Sequence, residues 1–319
     1  MISLGPGSRA RLCGSGLWIW KQRGAGECIT SCHCGDCGGA GKFFRLTPLH
    51  KQGRLRKVWR VGYPLLVHYL LLYAGVNLLY LLICGIKGQQ EDFYDWSVMI
   101  NGLTSLLLIL PVALWLYQRD WRFRPSWMRP QGLRGRDGIW CFLWGGAMAI
   151  VLNVAFSLLQ IFQRFPSYGE QTQKMTENTS ILWMILWTAV TAPLVEELIC
   201  RGLIYRRLRD YTGIWPSVVI SGLMFGLYHG NVVQAIYASI LGCLMAILVE
   251  ISGSLWASIL FHMGANLISV LFSEYAVTLL QWHDGIILTA AMGLLFLVFW
   301  GGIFYFRKEW KKRVRKTAY

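Results

Sequence analysis

Long apolar segments constrain the fold of this chain more than any other feature. Eight stretches approach the length of about 20 apolar residues that an α-helix needs to cross a bilayer. They are residues 61–86, 97–117, 138–161, 180–205, 214–229, 232–251, 255–272 and 285–306. Hydrophobic residues make up 55% of the 319 residues and charged residues only 15%, a balance too apolar for a soluble domain. The sequence predicts an all-α polytopic membrane protein with eight transmembrane helices, the short fifth and seventh packed inside the bundle.

The charged residues between these segments predict the orientation of the chain. The formal net charge is +15, and the Lys and Arg residues lie in blocks before the first segment, after the second, after the fourth and in the C-terminal tail. Eight alternating spans place all four blocks on one side and the acidic loops on the other. The positive-inside rule then predicts two cytoplasmic termini and contact between the basic tail and anionic lipids. Because the basic residues lie in separate blocks at the membrane boundaries, where they act as topology signals, nucleic acid is not expected as a partner.

The N-terminal segment, residues 1–57, differs from the rest of the chain. It is rich in Gly, Cys and Arg and has no apolar periodicity, which predicts disorder, or a mis-assigned start with the protein beginning near Leu55. The segment contains a cluster of possible zinc ligands: Cys28, Cys32, His33, Cys34 and Cys37. Their spacing lacks the two separated CxxC pairs of common zinc modules. The remaining chain is predicted to comprise N-terminal transmembrane helices (58–175), a catalytic core (176–275), and a last helix with a basic tail (276–319).

The fourth apolar segment carries two adjacent carboxylates and an arginine. Each charged side chain costs roughly 2.5–3.5 kcal/mol at the centre of a spanning helix, so Glu196, Glu197 and Arg201 require internal pairing or a function. Glu197 and Arg201 are four residues apart and can neutralise each other on a helix, whereas Glu196 points about 100° away. One carboxylate is therefore left for chemistry. By itself, such a pair is also consistent with a purely structural tie.

Two histidines lie in or at the end of later apolar segments. His229 shares a helical face with Phe225, and His262 shares one with Asn266. Either histidine alone could end a helix or pack structurally. Together with a buried glutamate they are the parts of a water-activating site: a general base, imidazoles that hold the water or a metal, and an amide for a developing oxyanion. His68 has no polar neighbour at helical spacing except nearby tyrosines and is interpreted as structural.

The spacing of these residues resembles that of a known family. The motifs are EExxxR at Glu196–Arg201, FxxxH at Phe225–His229 and HxxxN at His262–Asn266. They resemble the three motifs of the CPBP family of intramembrane proteases, which comprises CAAX prenyl endopeptidases of the Rce1 type and bacterial relatives associated with bacteriocin processing and self-immunity. The resemblance covers about residues 180–275 and implies a four-helix catalytic core. It also leads us to expect a bacterial plasma membrane.

The resemblance implies a role for each motif residue. Glu196 would activate the water that attacks the scissile carbonyl, with His229 helping to hold it. His262 and Asn266 would stabilise the oxyanion. The supporting residues would be Glu197 and Arg201 as an ion pair and Phe225 as the pocket wall. Zinc is compatible with ligation by Glu196, His229 and His262, with an open position for water, and a metal-free glutamate mechanism fits the same residues.

The resemblance implies hydrolysis of a peptide bond near the cytoplasmic leaflet. The substrate would be a CAAX-like protein, a leader peptide, a bacteriocin or a membrane-anchored regulator. A proton-coupled transporter could use the same buried groups, although the sequence shows none of the paired repeats with broken helices typical of that class. A non-catalytic scaffold is the other alternative. Counting along the helices places His229 about 22 Å deep and Glu196 about 15 Å, so the fifth helix must be tilted, short or sunken.

Overall fold

A computed structural model describes two compact units, Met1–Leu46 and Thr47–Tyr319. The described residues are 11–13, 16–18, 53–88, 93–122, 124, 130–176, 179–281 and 285–317. In the first unit, strands β1 (Arg11–Cys13) and β2 (Gly16–Trp18) pair antiparallel, with Leu12 opposite Leu17. The predicted cysteine cluster lies outside the described residues. The first helix of the second unit begins at Arg54, within the segment predicted to be disordered.

The second unit is built from helices, as the predicted all-α class requires. They are α1 (Arg54–Lys87), α2 (Phe93–Thr104), α3 (Leu110–Arg122), α4 (Gly135–Leu158), α5 (Ile161–Arg164), α6 (Pro166–Thr176), α7 (Ile181–Met184), α8 (Ala192–Glu197), α9 (Arg206–Arg209), α10 (Ile214–Tyr228), α11 (Val232–Ser252), α12 (Leu255–Gln281) and α13 (Gly285–Thr317). Three π-helical segments join some of these helices end to end: π1 (Ser105–Ile109), π2 (Ile185–Thr191) and π3 (Leu198–Tyr205). The all-α prediction is confirmed.

Within the described residues, six helical stretches are long and apolar enough to cross a membrane. They are Arg54–Lys87, Asp95–Arg122, Gly135–Leu158, Ile181–Arg209, Val232–Ser252 and Leu255–Glu274. The predicted fifth span corresponds to α10, which is apolar but only 15 residues long. The predicted eighth span lies in α13, and many of its side chains fall outside the described set. The protein is an integral membrane protein, and a total of eight spans stays a prediction.

Helices α4 and α12 pack backbone to backbone at the centre of the bundle. A Cβ atom on Gly145 would lie 1.9 Å from the carbonyl oxygen of Phe261, and one on Gly264 would lie 2.0 Å from that of Phe142. Only glycine permits so close an approach. Small residues at such interfaces let helices in lipid gain van der Waals contact, since no hydrophobic driving force acts between them there. The contact brackets His262, which follows Phe261 directly. It therefore fixes the height of that imidazole in the bundle.

Residues Ile181–Arg209 form one continuous helix, referred to here as the glutamate helix, made of α7, π2, α8, π3 and α9. The two glutamates end α8, and a π segment flanks α8 on each side. In π2, the Thr191 hydroxyl donates to the carbonyl of Leu186, 3.0 Å away and five residues earlier. Widened turns of this kind are rare and occur often at functional sites. The apolar segment 180–205 predicts a spanning helix here but carries no sign of the π turns.

The end of the glutamate helix is held by a charge clamp, defined as Arg60, Asp120, Arg124, Arg207 and Asp210. Arg207 is only 1% exposed and lies 3.0 Å from Asp120. Asp210 is contacted by Arg60 at 2.9 Å and Arg124 at 2.8 Å. These arginines belong to the basic blocks that predicted the orientation. They also tie α1, α3 and the loop after α3 to the glutamate helix.

Candidate active site

A fully buried ion pair forms the base of the site. Glu197 and Arg201 are both 0% exposed, and Arg201 Nη1 donates to Glu197 Oε1 over 2.8 Å. Arg201 also donates to the carbonyl of Gly242 at 2.9 Å, and its guanidinium lies over the ring of Phe225, 4.4 Å from the centroid. As the four-residue spacing predicts, Arg201 compensates the charge of Glu197. It also connects the glutamate helix to α10 and α11.

His262 lies between the two carboxylates. Its Nδ1 is 3.1 Å from Glu197 Oε1, and because a carboxylate oxygen paired with arginine accepts hydrogen bonds, Nδ1 is the donor. Its Nε2 faces Glu196 Oε2 at 3.8 Å. Glu196 retains 15% side-chain exposure, whereas Glu197 has none. Glu196 is thus the more accessible of the two carboxylates, and its 3.8 Å separation from the imidazole nitrogen is too long for a direct hydrogen bond.

His229 follows the last residue of α10 and is oriented by its own helix. Its Nδ1 lies 2.9 Å from the carbonyl of Phe225, and because a carbonyl only accepts, Nδ1 carries the proton. In the neutral ring, Nε2 then has a lone pair for the site. The Phe225 ring makes edge contacts with His229 and His262, at centroid distances of 4.9 and 5.6 Å. Phe225 therefore spaces the two imidazoles, and the depth difference estimated by counting residues does not separate them.

Asn266 lies one turn after His262 and is anchored to the glutamate helix. Its Nδ2 donates to the carbonyl of Thr188 over 2.7 Å. The π register explains why that carbonyl is free: the N–H of Ala192 bonds the carbonyl of Trp187, and the next residue, Pro193, has no N–H to give. The amide of Asn266 carries a second N–H, which remains for a ligand.

The predicted site residues therefore converge from the glutamate helix, α10 and α12. Both imidazoles donate from Nδ1 to a protein acceptor, an arrangement common among metal-ligating histidines. Among the described residues, however, no group of three or more His, Cys, Asp or Glu side chains is placed to hold a metal ion. Zinc ligation by His229, His262 and Glu196 stays a prediction.

Sequence reasoning missed a second set of polar residues beside the site. His68 Nε2 is hydrogen-bonded to the hydroxyl of Tyr228, the last residue of α10. Tyr69 donates to the carbonyl of Tyr228 over 2.7 Å. Helical spacing could not reveal these contacts, since they join segments about 160 residues apart in sequence. The available signal was the histidine itself, a polar residue in an apolar span.

The fold and the site define an integral membrane protein with a buried Glu, His and Asn constellation. Residues 178–268 match the family model described as Type II CAAX prenyl endopeptidase Rce1-like, and every predicted site residue lies within that range. The chain is also 26% identical over 99 residues to the Putative membrane peptidase YdiL of Bacillus subtilis (strain 168). That match covers 31% of this chain and 41% of the relative. No solved structure matches. The predicted resemblance is confirmed: this protein carries an Rce1-like segment.

Proposed function

We propose that the protein is an intramembrane endopeptidase that hydrolyses a peptide bond with a water molecule activated by Glu196. The observation that carries the proposal is the asymmetry of the carboxylate pair. Glu197 is neutralised by Arg201 at 2.8 Å, whereas Glu196 is partly exposed and faces an imidazole nitrogen at 3.8 Å. A structural tie needs one carboxylate for one arginine. The second carboxylate is an added cost in the membrane unless it performs chemistry.

In the first step, a water molecule lies between Glu196 and His262. It donates one hydrogen to the Glu196 carboxylate and the other to Nε2 of His262, whose Nδ1 proton is committed to Glu197. The lone pair of Nε2 on His229 can accept that second hydrogen in place of His262. Glu196 takes the proton as the water oxygen bonds to the scissile carbonyl carbon. A general base of this kind accelerates a reaction by roughly 10²–10⁴-fold.

The tetrahedral oxyanion that results needs a hydrogen-bond donor. Of the two residues expected to stabilise the oxyanion, Asn266 has a hydrogen to donate: one N–H of its amide is fixed by the Thr188 carbonyl, and the other is left for the oxyanion. Such a donor acts most strongly when it is fixed before the charge develops. A neutral His262 commits its single N–H to Glu197 and acts in this mechanism as an acceptor for the water instead. The intermediate then collapses with cleavage of the C–N bond, and Glu196 returns its proton to the leaving amine.

The basic residues around the charge clamp support a position of this bond near the cytoplasmic leaflet, under the positive-inside rule. Both termini would then be cytoplasmic, and the candidate substrates are CAAX-like proteins, leader peptides, bacteriocins or membrane-anchored regulators. In a bacterium, prenylated CAAX proteins are not expected as substrates. Leader peptides, bacteriocins and membrane-anchored regulators are then the candidates that remain.

The proposal is tested by sequencing new peptide termini. Membranes from cells that express the wild-type protein or Glu196→Gln are compared by mass spectrometry, and candidate peptides are then incubated with the purified protein in detergent. We expect termini that appear only with the wild-type protein and cleavage that Glu196→Gln removes. Glu170→Gln is the matched control, since Glu170 is exposed on α6. Equal cleavage by Glu196→Gln would refute the mechanism, and proton-coupled uptake without new termini would favour a transporter.

The predicted zinc is tested on the same purified protein. Dialysis against a chelator followed by elemental analysis measures bound zinc directly, independent of activity. If zinc is a cofactor, the His229→Ala and His262→Ala variants retain less of it than the wild-type protein after the same dialysis. If the metal-free mechanism holds, chelation leaves cleavage unchanged.

A further inference from the structure

Helix α1 packs against the other helices along one narrow face. Its buried residues are Val61, Pro64, His68 and Gly75. Val61, His68 and Gly75 follow one another at intervals of seven residues, so they lie on the same side of the helix. The packing at Gly75 is tight, because a Cβ atom there would lie 2.5 Å from the Thr104 side chain. These contacts fix the rotation of α1 and therefore decide which of its residues face outward.

The outward face of α1 carries a second seven-residue pattern, referred to here as the outer stripe. It consists of Leu66, Leu70, Tyr73 and Asn77, which follow one another at spacings of four, three and four residues. All four side chains are exposed, Tyr73 at 74%. Alternating spacings of three and four residues define the a and d positions of a heptad, through which two helices pack side by side. In this register Asn77 occupies an a position.

Asn77 places a polar amide where lipid offers it no partner. Along the helix axis it lies about 25 Å from Arg60 and about 15 Å from Lys87, the nearest charged residues of α1, and so inside a hydrocarbon layer of about 30 Å. One N–H of the amide donates to the Tyr73 carbonyl over 2.7 Å. Its oxygen and its second N–H have no partner among the residues that the structure describes. Acyl chains form no hydrogen bonds, so this face favours a polar group from another helix.

We propose that the outer stripe packs against the outer stripe of a second copy of this chain, with the two Asn77 amides hydrogen-bonded to each other. Two copies inserted in one membrane have the same orientation, so their α1 helices run parallel and each Asn77 lies at the depth of the other. An amide carries both a donor and an acceptor, so a two-fold axis lets each copy supply what the other lacks. A single Asn at an a position sets the register of paired helices in the same way.

A natural cysteine allows the geometry to be tested by cross-linking. Cys84 is a partly exposed free thiol seven residues after Asn77, at the next a position. With every other cysteine replaced by alanine, copper–phenanthroline should oxidise the Cys84 thiols of two copies to a disulfide in intact membranes, since that bond forms only between close side chains. The control carries Cys84→Ala and Leu82→Cys. Leu82 is 51% exposed but follows Gly75 by seven residues, on the other face, and should cross-link several times less. Equal cross-linking would indicate random collision and overturn the inference.

The contribution of the amide is measured with all cysteines in place. Energy transfer between donor-labelled and acceptor-labelled copies in phosphatidylcholine vesicles gives the dissociation constant of the pair. Asn77→Leu should raise this constant about tenfold, the size of effect expected for a hydrogen bond between spanning helices. Asn101→Leu is the matched control, because the Asn101 amide also donates to a carbonyl four residues earlier, that of Ser97 at 2.7 Å, but is partly buried on α2. It should change the constant by less than about twofold.

An exchange variant separates the position of the amide from its presence. Asn77→Leu combined with Leu78→Asn keeps the composition and moves the amide about 100° around the helix, to a position that is 57% exposed. It should associate as weakly as Asn77→Leu alone. Wild-type association by the exchange variant, or a wild-type protein that stays monomeric and instead binds a different membrane protein through Asn77, would overturn the inference. Glu196→Gln should associate like the wild-type protein, so this test is independent of the proposed activity.

Discussion

The glutamate helix carries two charged clusters that differ in how their carboxylates are paired with cations. In the charge clamp, each aspartate meets at least two guanidinium groups within 3.8 Å, and Arg207 is buried against Asp120. In the site, Arg201 serves Glu197, and Glu196 faces a histidine at 3.8 Å. Both aspartates of the clamp are paired with guanidinium groups, whereas Glu196 has no cation of its own in the site. We interpret this difference as that between a structural cluster and the proposed catalytic one.

The largest effect that tests this comparison is expected at Glu196. Glu196→Gln should lower kcat/KM by about a thousandfold or more, which is the range of a lost general base. Its melting temperature should not fall, because no buried partner loses its counter-charge. Peptide cleavage and thermal unfolding in detergent measure the two quantities. A loss of both activity and stability would place Glu196 with the structural groups.

Arg201 should show the opposite pattern. Arg201→Met leaves Glu197 buried without its cation, and breaking a buried pair in this way typically costs about 3–5 kcal/mol. We expect a strongly reduced yield of folded protein and a lower melting temperature. The double variant Arg201→Met with Glu197→Gln removes both charges, and it should recover part of the stability while the single variant does not. Equal stability of the single and double variants would contradict the pairing.

Asn266 is expected to have an intermediate effect. Asn266→Ala removes the proposed oxyanion donor and should lower kcat by about a hundredfold, the lower end for loss of one such donor. Asn153 is the matched control, because its amide also donates to a backbone carbonyl, that of Ala149 at 2.8 Å, and its other partner, the Tyr237 hydroxyl at 3.4 Å, belongs to none of the three motifs. Asn153→Ala should keep kcat within about twofold. A similar kcat for the two variants would remove Asn266 from the mechanism.

The smallest effect is expected in the charge clamp. Asp120→Asn weakens the pairing of Arg207, which keeps its bonds to the Tyr63 hydroxyl at 2.8 Å and the Arg60 carbonyl at 2.6 Å. We expect a loss of about 1–3 kcal/mol in unfolding free energy, typical of a buried polar group left partly unsatisfied. The kcat should stay within about twofold of the wild-type value. A larger fall in kcat without loss of stability would show that the clamp belongs to the site.

Much of the fold and the site could be predicted from sequence, because both depend on local patterns. Apolar length sets the spans, and the four-residue spacing brings Arg201 to Glu197. The motif spacing identified His229, His262 and Asn266 as one group, and the structure places them around Phe225 and the two glutamates. Periodicity carries this information since it concerns residues on one helix.

The remaining features depend on contacts between distant segments. The π segments flanking α8 have no local hydrophobic signature, and their effect on the Thr188 carbonyl emerges only with Asn266 from α12 in place. His68 was interpreted as structural because its partner, Tyr228, is contributed by a distant helix. The clamp arginines were interpreted only as topology signals. Counting charges along the sequence does not show which aspartates these arginines contact.

The glycine-mediated contact between α4 and α12 bears on how a peptide reaches the site. The main chains of the two helices are in contact immediately before His262 and two residues after it. Separating α4 from α12 would therefore break this close backbone packing. At another boundary of the site, α1 meets the end of α10 through contacts of the His68 and Tyr69 side chains with Tyr228 rather than along closely packed backbones. For the endopeptidase proposed above, we therefore expect an extended polypeptide to enter where α1 meets α10, because rotamer changes alone can widen that gap.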